Sequence, residues 1–561
     1  MIINVKLKDF GSDIDGTYKV NRYTSCAEAL KIASVNSPLK YEENPIVGVC
    51  TGSTVVPLHE ALLSDCTLSP VRAFDKEGRR IYRHSLCFLL FYASSLVMKE
   101  RRLTIGHSLG DGFYFSCADG KPIKEKEVLS LEKKMRECVA EGLEIENIYL
   151  QSLEAQKYFK ENSMEDTALL LSQQNRPTVE LYKLNDFLDV AYEPIAWNTA
   201  LLSVFELRKY GSGLLLRYPT STGDLKKIVP FVDRPKLFSV FEEYKNWGKI
   251  LKVSSCGEIN RVLLSPQAPQ FIRLCEALQR RKIAEIADMI KEKGAQAVFI
   301  AGPSSSGKTT FAMRLCEQIM LMDDETIRIS LDDYYRPKVE CPKDEKGNPD
   351  LECLEALRTD LFRENMTDLF NGKEVDLPHY SFKKQKTYYL NRPVRLTDRT
   401  VFVIEGIHGL NPEINSCIDE DKIFRIYISA LTQLNIDSHN RISTTDNRII
   451  RRIVRDYRTR DISALETLNM WDSVEDGERR HIFPFQNNAD VMFNSALDYE
   501  ICVLSPFVIP LLREISPKSG ASYATARRLL QFLEIFNPLP ALDVPSDSLL
   551  REFIGQSDYE A

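Results

Sequence analysis

The 561-residue chain has no C-x-x-C pair, no basic excess, no long apolar run and no low-complexity segment. Each absence excludes something. The thirteen cysteines are scattered and odd in number, which argues against a zinc ribbon or a disulfide framework and for free thiols in a reducing compartment. Lys and Arg total 73 against 80 Asp and Glu, a net charge of −7, so the overall balance does not advertise a polyanionic partner. The longest apolar stretch, residues 85–98, is too short for a bilayer span and includes small polar residues; a buried helix is expected there. Met1-Ile2-Ile3-Asn4-Val5-Lys6-Leu7-Lys8 alternates polar and apolar like a strand and lacks signal-peptide architecture. The expectation is a soluble, cytoplasmic protein without membrane contact. Its length suggests roughly three or four domains.

Against these absences stands one pattern, Gly302-Pro303-Ser304-Ser305-Ser306-Gly307-Lys308-Thr309, with Thr310 beyond it. An apolar run, Ala297-Val298-Phe299-Ile300, precedes it, and a helical pattern from Phe311 follows. Strand, Gly-rich loop and helix at the spacing G-x-x-x-x-G-K-[ST] form a phosphate-binding loop. Its backbone N–H groups turn toward phosphate oxygens, the helix N-terminus adds partial positive charge, Lys308 reaches the outer phosphates and the Thr309 hydroxyl is a Mg²⁺ ligand type.

Two further strands end in acids. Ile327-Arg328-Ile329-Ser330 runs into Leu331-Asp332-Asp333-Tyr334-Tyr335-Arg336, and Thr400-Val401-Phe402-Val403-Ile404 runs into Glu405. A strand-end carboxylate beside a phosphate site can orient and deprotonate an acceptor hydroxyl, or hold Mg²⁺. If the first segment is extended, Asp332 and Asp333 point to opposite sides and only one faces the acceptor. A basic helix follows, with Arg448, Arg452 and Arg455 on one face at i+4 and i+3 steps, then Arg458 and Arg460. Such a helix is either a solvated charged surface or a lid that swings arginines onto phosphates; the phosphate loop favours the lid.

These pieces, with Leu377-Pro378-His379-Tyr380-Ser381-Phe382, Arg451 to Asp456 and Ala489-Asp490-Val491, resemble the uridine kinase/phosphoribulokinase family of P-loop kinases, over residues of about 296–503. The resemblance implies ATP and Mg²⁺ as cofactors. It makes Asp332 the base for a nucleoside 5′-hydroxyl, with Lys308, Arg455 and Arg460 catalytic beside it. Gly302, Ser304 to Thr310 and Arg452 bind the nucleotide, and Thr309 and Glu405 serve the metal. Tyr335, Tyr380, Phe382 and Gln385 line the nucleoside pocket. Two departures bear on the base: Ser381 replaces the family's Asp, and Gln385 stands where a His contacts the pyrimidine. The family's F-D-H-P-D-A segment is also altered, to Leu351-Glu352-Cys353-Leu354-Glu355-Ala356.

The front half shows strand, strand, helix, strand, at Val5 to Lys8, Tyr18 to Val20, Cys26 to Ser34 and Ile46 to Val49, closed by Asp65 to Leu68. This layout resembles the ubiquitin-like TGS domain of threonyl-tRNA synthetases. Farther on, a helix opened by Arg83-His84-Ser85, Leu103 to Gly106, Asp111 to Phe115, a charged helix from Ser130 to Glu141, Val179 to Tyr182 and Asp186 to Asp189 resemble the second additional, editing domain of threonyl- and alanyl-tRNA synthetases. That family's hydrolytic site uses an H-x-x-x-H pair and a later C-x-x-x-H. Here His84 keeps the first position, while Phe88, Ala191 and Ile195 stand at the others. One histidine cannot supply a converging donor set, so His84 and His107 are read as structural, and this half as a module without catalysis.

The expected architecture is a multidomain α+β N-terminal half followed by an α/β P-loop kinase domain, its parallel sheet flanked by helices. The expected divisions are 1–72, 73–230, a connecting segment with a helix over 231–294, the kinase domain over 295–503 and a helical extension over 504–561. The leading functional expectation is an ATP-dependent kinase of a small-molecule nucleoside, uridine- or cytidine-like. The alternatives are a kinase of another small alcohol, such as a sugar phosphate or pantothenate, and an RNA-binding protein with a synthetase-derived front half. A homo-oligomer is compatible with all three.

Overall fold

Every residue of the apolar run Ala297–Ala301 is buried, and the computed structural model sets it at the centre of a five-stranded parallel sheet. The model describes residues 1–11, 14–34, 44–52, 54–219, 227–343, 347, 349–381 and 386–559. The sheet order is Glu325–Ser330, Thr400–Glu405, Ala297–Ala301, Ile423–Ser429, Val491–Asn494. A strand buried on both faces has to be apolar throughout. On one side Val298 and Ile300 pack with Phe311 and Leu315 of the helix Lys308–Met320, and with Ile283, Ile286 and Ile290 of the helix Ala268–Lys293. On the other, Phe299 and Ile404 pack with Leu331 and Phe362. Parallel register places Ser330 and Ile300 level with Glu405, so the strand-end acids and the Gly-rich loop share one edge of the sheet.

The front of the chain holds a five-stranded sheet ordered Gly16–Asn21, Ile2–Leu7, Cys66–Arg72, Ile46–Thr51, Val55–Val56, with the helix Cys26–Ala33 against it. Next come a four-stranded antiparallel sheet of Glu206–Tyr210, Gly213–Arg217, Gly112–Cys117 and Leu103–Leu109, and a three-stranded one of Phe187–Val190, Thr178–Leu184 and Glu146–Gln151. The helix expected to open at Arg83 starts at Lys76 and runs to Val97, and the charged helix starts at Glu125. Polar first turns hid both starts from a reading based on apolar spacing. The apolar stretch 85–98 lies in the first of these helices up to Val97, with Met98 as its cap, and is largely buried; no described helix is long and apolar enough to cross a membrane.

Residues 231–294 hold three helices, Pro235–Leu251, Cys256–Leu263 and Ala268–Lys293, where one was expected. The first joins the halves. Its Leu237, Phe241 and Tyr244 share one buried cluster with Leu109, Tyr114 and Leu215 of the front half and with Ala301, Tyr427 and Met492 of the parallel sheet. Gly294, at φ +67, caps the last helix in the left-handed conformation.

Candidate active site

The Gly-rich loop is shaped by two positions. A Cβ on Gly302 would lie 2.0 Å from the carbonyl oxygen of Ile428, so only glycine lets the loop leave the sheet there. Gly307 is left-handed, at φ +82, and so is Ser305, at φ +60; these residues curl the loop tightly, with the Ser306 N–H donating to the Pro303 carbonyl (3.3 Å). The buried hydroxyls of Ser305 and Ser306 have no hydrogen-bond partner among the described residues. Lys308 curls back, its Nζ donating to the carbonyls of Gly302 (3.1 Å) and Pro303 (3.3 Å). Thr309 is half-buried at the helix start.

Carboxylates already touch this cradle at two points. The N–H of Ser304 donates to Glu478 (3.0 Å), whose other partner is Arg448. The N–H and hydroxyl of Thr310 donate to Glu552 at 3.4 and 3.0 Å. Glu552 belongs to the C-terminal segment, where the sequence suggested no chemistry; it lies 242 residues from Thr310, and no local pattern marks it.

The arginines of the helix Thr444–Arg460 divide into two kinds. Arg448 and Arg451 are buried in the frame: Arg448 donates to the Ser304 carbonyl (3.0 Å) and pairs with Glu478, and Arg451 pairs with Glu500 and donates to the Ser495 carbonyl (2.9 Å). Arg452, Arg455 and Arg460 gather on the fully buried Asp456. Arg452 donates to it from Nε (3.1 Å) and to the Ser304 hydroxyl (2.9 Å), Arg455 binds it through two nitrogens (3.0 and 2.7 Å), and Arg460 lies 3.7 Å away.

At the strand ends the Ser330 hydroxyl donates to Glu405 (3.1 Å) and accepts from the N–H of Asp332 (3.3 Å). Burial raises Asp332 above the usual carboxylate range, while Lys308, Arg460 and Arg455 pull it down. Glu405 is pushed up to about 7 by burial and by the charge of Asp332, against the pull of Lys308. Residues 331–334 form a 3-10 turn, not the extended segment expected. Asp332 and Asp333 still diverge, because successive residues on so tight a turn leave it in different directions. Asp333 turns away from the loop, accepting from the Tyr380 N–H (3.0 Å) and lying 3.4 Å from His379, which fixes the hairpin of Pro378–Ser381 and Lys386–Tyr389. Tyr335 and Tyr380 lie with ring centroids 6.4 Å apart, and the Tyr335 hydroxyl donates to the Leu351 carbonyl (2.9 Å). Phe382 and Gln385 lie outside the described residues. Sequence reasoning missed Glu352: burial pushes it up to about 7 beside Arg452, Glu478, Lys308 and Asp332.

No group of three or more His, Cys, Asp or Glu among the described residues is disposed to hold a metal. Mg²⁺ on a nucleotide needs only one or two protein groups besides phosphates. The Glu405 carboxylate at the strand end and the Thr309 hydroxyl at the helix start are oxygen donors of the type such a cation takes.

In the front half His84 lies 3.2 Å from Asn440 and 3.8 Å from Glu193. Phe88 packs edge-on to Phe187 and Tyr182, and Ile195 is buried. His107 is buried and stacks on Phe241. Phe88, Ile195 and the partly buried Ala191 thus sit in one apolar cluster, while His84 faces polar neighbours.

Residues 297–501 match the model of the Phosphoribulokinase / Uridine kinase family. Uridine kinase from Ureaplasma urealyticum serovar 10 is 29% identical over 196 residues, 35% of this chain and 85% of that one. The N-terminal half is similar to threonine–tRNA ligases; that of Maridesulfovibrio salexigens is 30% identical over 190 residues, 34% of this chain. The match spans only 29% of the ligase's length. A solved structure described as a possible uridine kinase from Bacillus stearothermophilus aligns with 38% of this chain and 98% of its own, at 17% identity and a TM-score of 0.26.

Proposed function

We propose that the protein transfers a phosphoryl group from ATP to the 5′-hydroxyl of a uridine- or cytidine-like nucleoside, in the cytoplasm and with Mg²⁺. The observation that carries this reading is the convergence on one sheet edge of the Gly-rich loop, the acids Asp332 and Glu405, and three arginines held by a single buried aspartate. The family match over residues 297–501 supports it.

In this reading the loop from Gly302 to Thr310 cradles the phosphates, and Thr309 and Glu405 hold the metal. Bound Mg²⁺–ATP supplies the transferable group and the charge that makes it electrophilic. Asp332 orients the acceptor hydroxyl and takes its proton. Lys308, Arg452, Arg455 and Arg460 surround the oxygens where charge accumulates, already oriented by Asp456, so little reorganisation accompanies transfer. Tyr335 and Tyr380, with Phe382 and Gln385, form the acceptor pocket. The kinase activity resides in residues 295–503, and the synthetase-like front half is a non-catalytic module.

The test is ADP release by the full chain with a panel of nucleosides, sugar phosphates, pantothenate and RNA. Release dependent on a pyrimidine nucleoside, with its 5′-monophosphate recovered, is the expected result. Release that needs a sugar phosphate or pantothenate reassigns the acceptor; release that needs only RNA overturns the reading.

A further inference from the structure

Arg80, Arg83 and His84 of the front half face Asn440 and Arg441 of the kinase half across a cleft of about 640 Å³. Its floor is the helix Lys76–Val97, and its far wall is the loop 430–443 leading into the arginine-bearing helix Thr444–Arg460. That loop is threaded into the front half. Ser438 donates to Asp166 (2.7 Å), His439 pairs with Asp189 (2.8 Å) and stacks on Phe91, and Asn440 meets His84.

Lys76, Arg80, Arg83, Arg441 and Arg528 in the cleft are equalled in number by Glu77, Glu193, Asp446, Asp472 and Glu475, but the pairing is uneven. Its acids crowd on three of its bases: Asp472 and Glu475 on Lys76, Glu193 and Glu77 on Arg80, and Asp446 on Arg528. Arg83 and Arg441 have no carboxylate within ion-pair distance among the described residues. Arg83 donates from Nε to the Arg79 carbonyl (3.1 Å) and lies over Tyr218; Arg441 lies over Phe113. Both are half-buried, and the Arg441 guanidinium is pushed down by burial and by the charge of Arg83. Two guanidiniums lining one cleft with no carboxylate paired to either, Asp446 acting on Arg441 only from beyond ion-pair distance, are costly to keep out of water. Their sum, +2, matches a phosphate monoester, which carries close to −2 at neutral pH and three acceptor oxygens suited to the planar fork. The cleft's volume falls within the roughly 300–1,000 Å³ of small-ligand sites.

We propose that this cleft binds a small phosphate monoester, its phosphate held between Arg83 and Arg441. The ligand bridges the two halves at the start of the helix whose far end carries Arg452, Arg455 and Arg460.

The experiment uses the full chain with the Gly-rich loop saturated by Mg²⁺ and a non-hydrolysable ATP analogue. Uridine 5′-monophosphate and inorganic phosphate are titrated separately by calorimetry into the unsubstituted protein, Arg83→Gln and Arg441→Gln. The expected result, apart from any occupancy of the acceptor pocket that both variants leave unaltered, is one site weakened tenfold or more in each variant, with affinity for the ATP analogue and the melting temperature of Arg83→Gln nearly unchanged. Competition by inorganic phosphate identifies the phosphate as the recognised group; binding of the nucleotide alone adds its nucleoside to the recognition. Hydrogen exchange on the unsubstituted protein gives a second reading, with slower exchange over 437–447 on ligand addition. Unaltered affinity in both variants, no binding of either probe, or binding of RNA alone overturns the proposal. None of these readouts uses phosphoryl transfer, so failure of the nucleoside kinase reading is distinguishable from failure here.

Discussion

Asp332 and Asp333 are adjacent and differently employed. Asp333 spends both carboxylate oxygens on the hairpin, through Tyr380 and His379, whereas the charges that act on Asp332 are Lys308, Arg455 and Arg460. Asp332→Asn should lower kcat at least 100-fold while nucleotide affinity by calorimetry is nearly unchanged, the size expected for loss of a proton acceptor. Asp333→Asn should act mainly on the acceptor KM by loosening the hairpin. A dead Asp333→Asn beside an active Asp332→Asn would exchange the two roles. Lys308→Ala should likewise cost on the order of 10²-fold or more in turnover with the fold intact. The buried acids make the site pH-dependent. Glu405 and Glu352 rise from 4.5 to about 7 on folding, so the folded chain binds more protons than the unfolded chain between those values. Their contribution to stability is full below the unfolded value and is lost as pH rises through about 7. Mg²⁺ with the ATP analogue should therefore raise the melting temperature more at pH 8 than at pH 6; the reverse order would remove these acids from the cation's neighbourhood.

Among the elements, the arginine helix was legible in part. Its i+4 and i+3 spacing of Arg448, Arg452 and Arg455 can be read from the chain, but spacing cannot say which arginines are spent. Arg448 belongs to Glu478, 30 residues away, and Arg451 to Glu500, 49 away. Only the end organised by Asp456 remains for phosphates, so any swing of this helix pivots about a fixed first half. The Gly-rich loop and the strand-end acids were legible because their chemistry is set by immediate neighbours in sequence. The early starts of the helices at Lys76 and Glu125 were not, since their first turns carry no apolar period. Nor was the C-terminal turn Arg551–Ile554, which brings Glu552 to Thr310. With Thr310 a phosphate contact, as proposed, Glu552 competes for the same donors, and a nucleotide binds only the fraction of molecules in which it has withdrawn. A half-exposed contact of this kind is worth about 1 kcal/mol, so Glu552→Gln should bind the ATP analogue about fivefold tighter. Unchanged or weaker affinity by calorimetry would separate this turn from the nucleotide site.

For the whole molecule, the front half is proposed to be a non-catalytic module. Phe88 and Ile195 are buried among apolar neighbours, and Asn440 of the kinase half lies 3.2 Å from His84. The full chain should neither hydrolyse mischarged tRNA nor hold stoichiometric zinc; either finding would restore a hydrolytic role. The contacts that close this half join residues 250 and 356 positions apart. A ribosome therefore finishes the first 230 residues long before the segment that seals them exists. Until residues 437–440 emerge, Phe91 lacks its stacking partner and Asp189 its counter-charge, and the growing chain carries an incomplete surface through about 10–40 seconds of synthesis at roughly 5–20 residues per second. Order of emergence thus makes the second half, in effect, the chaperone of the first.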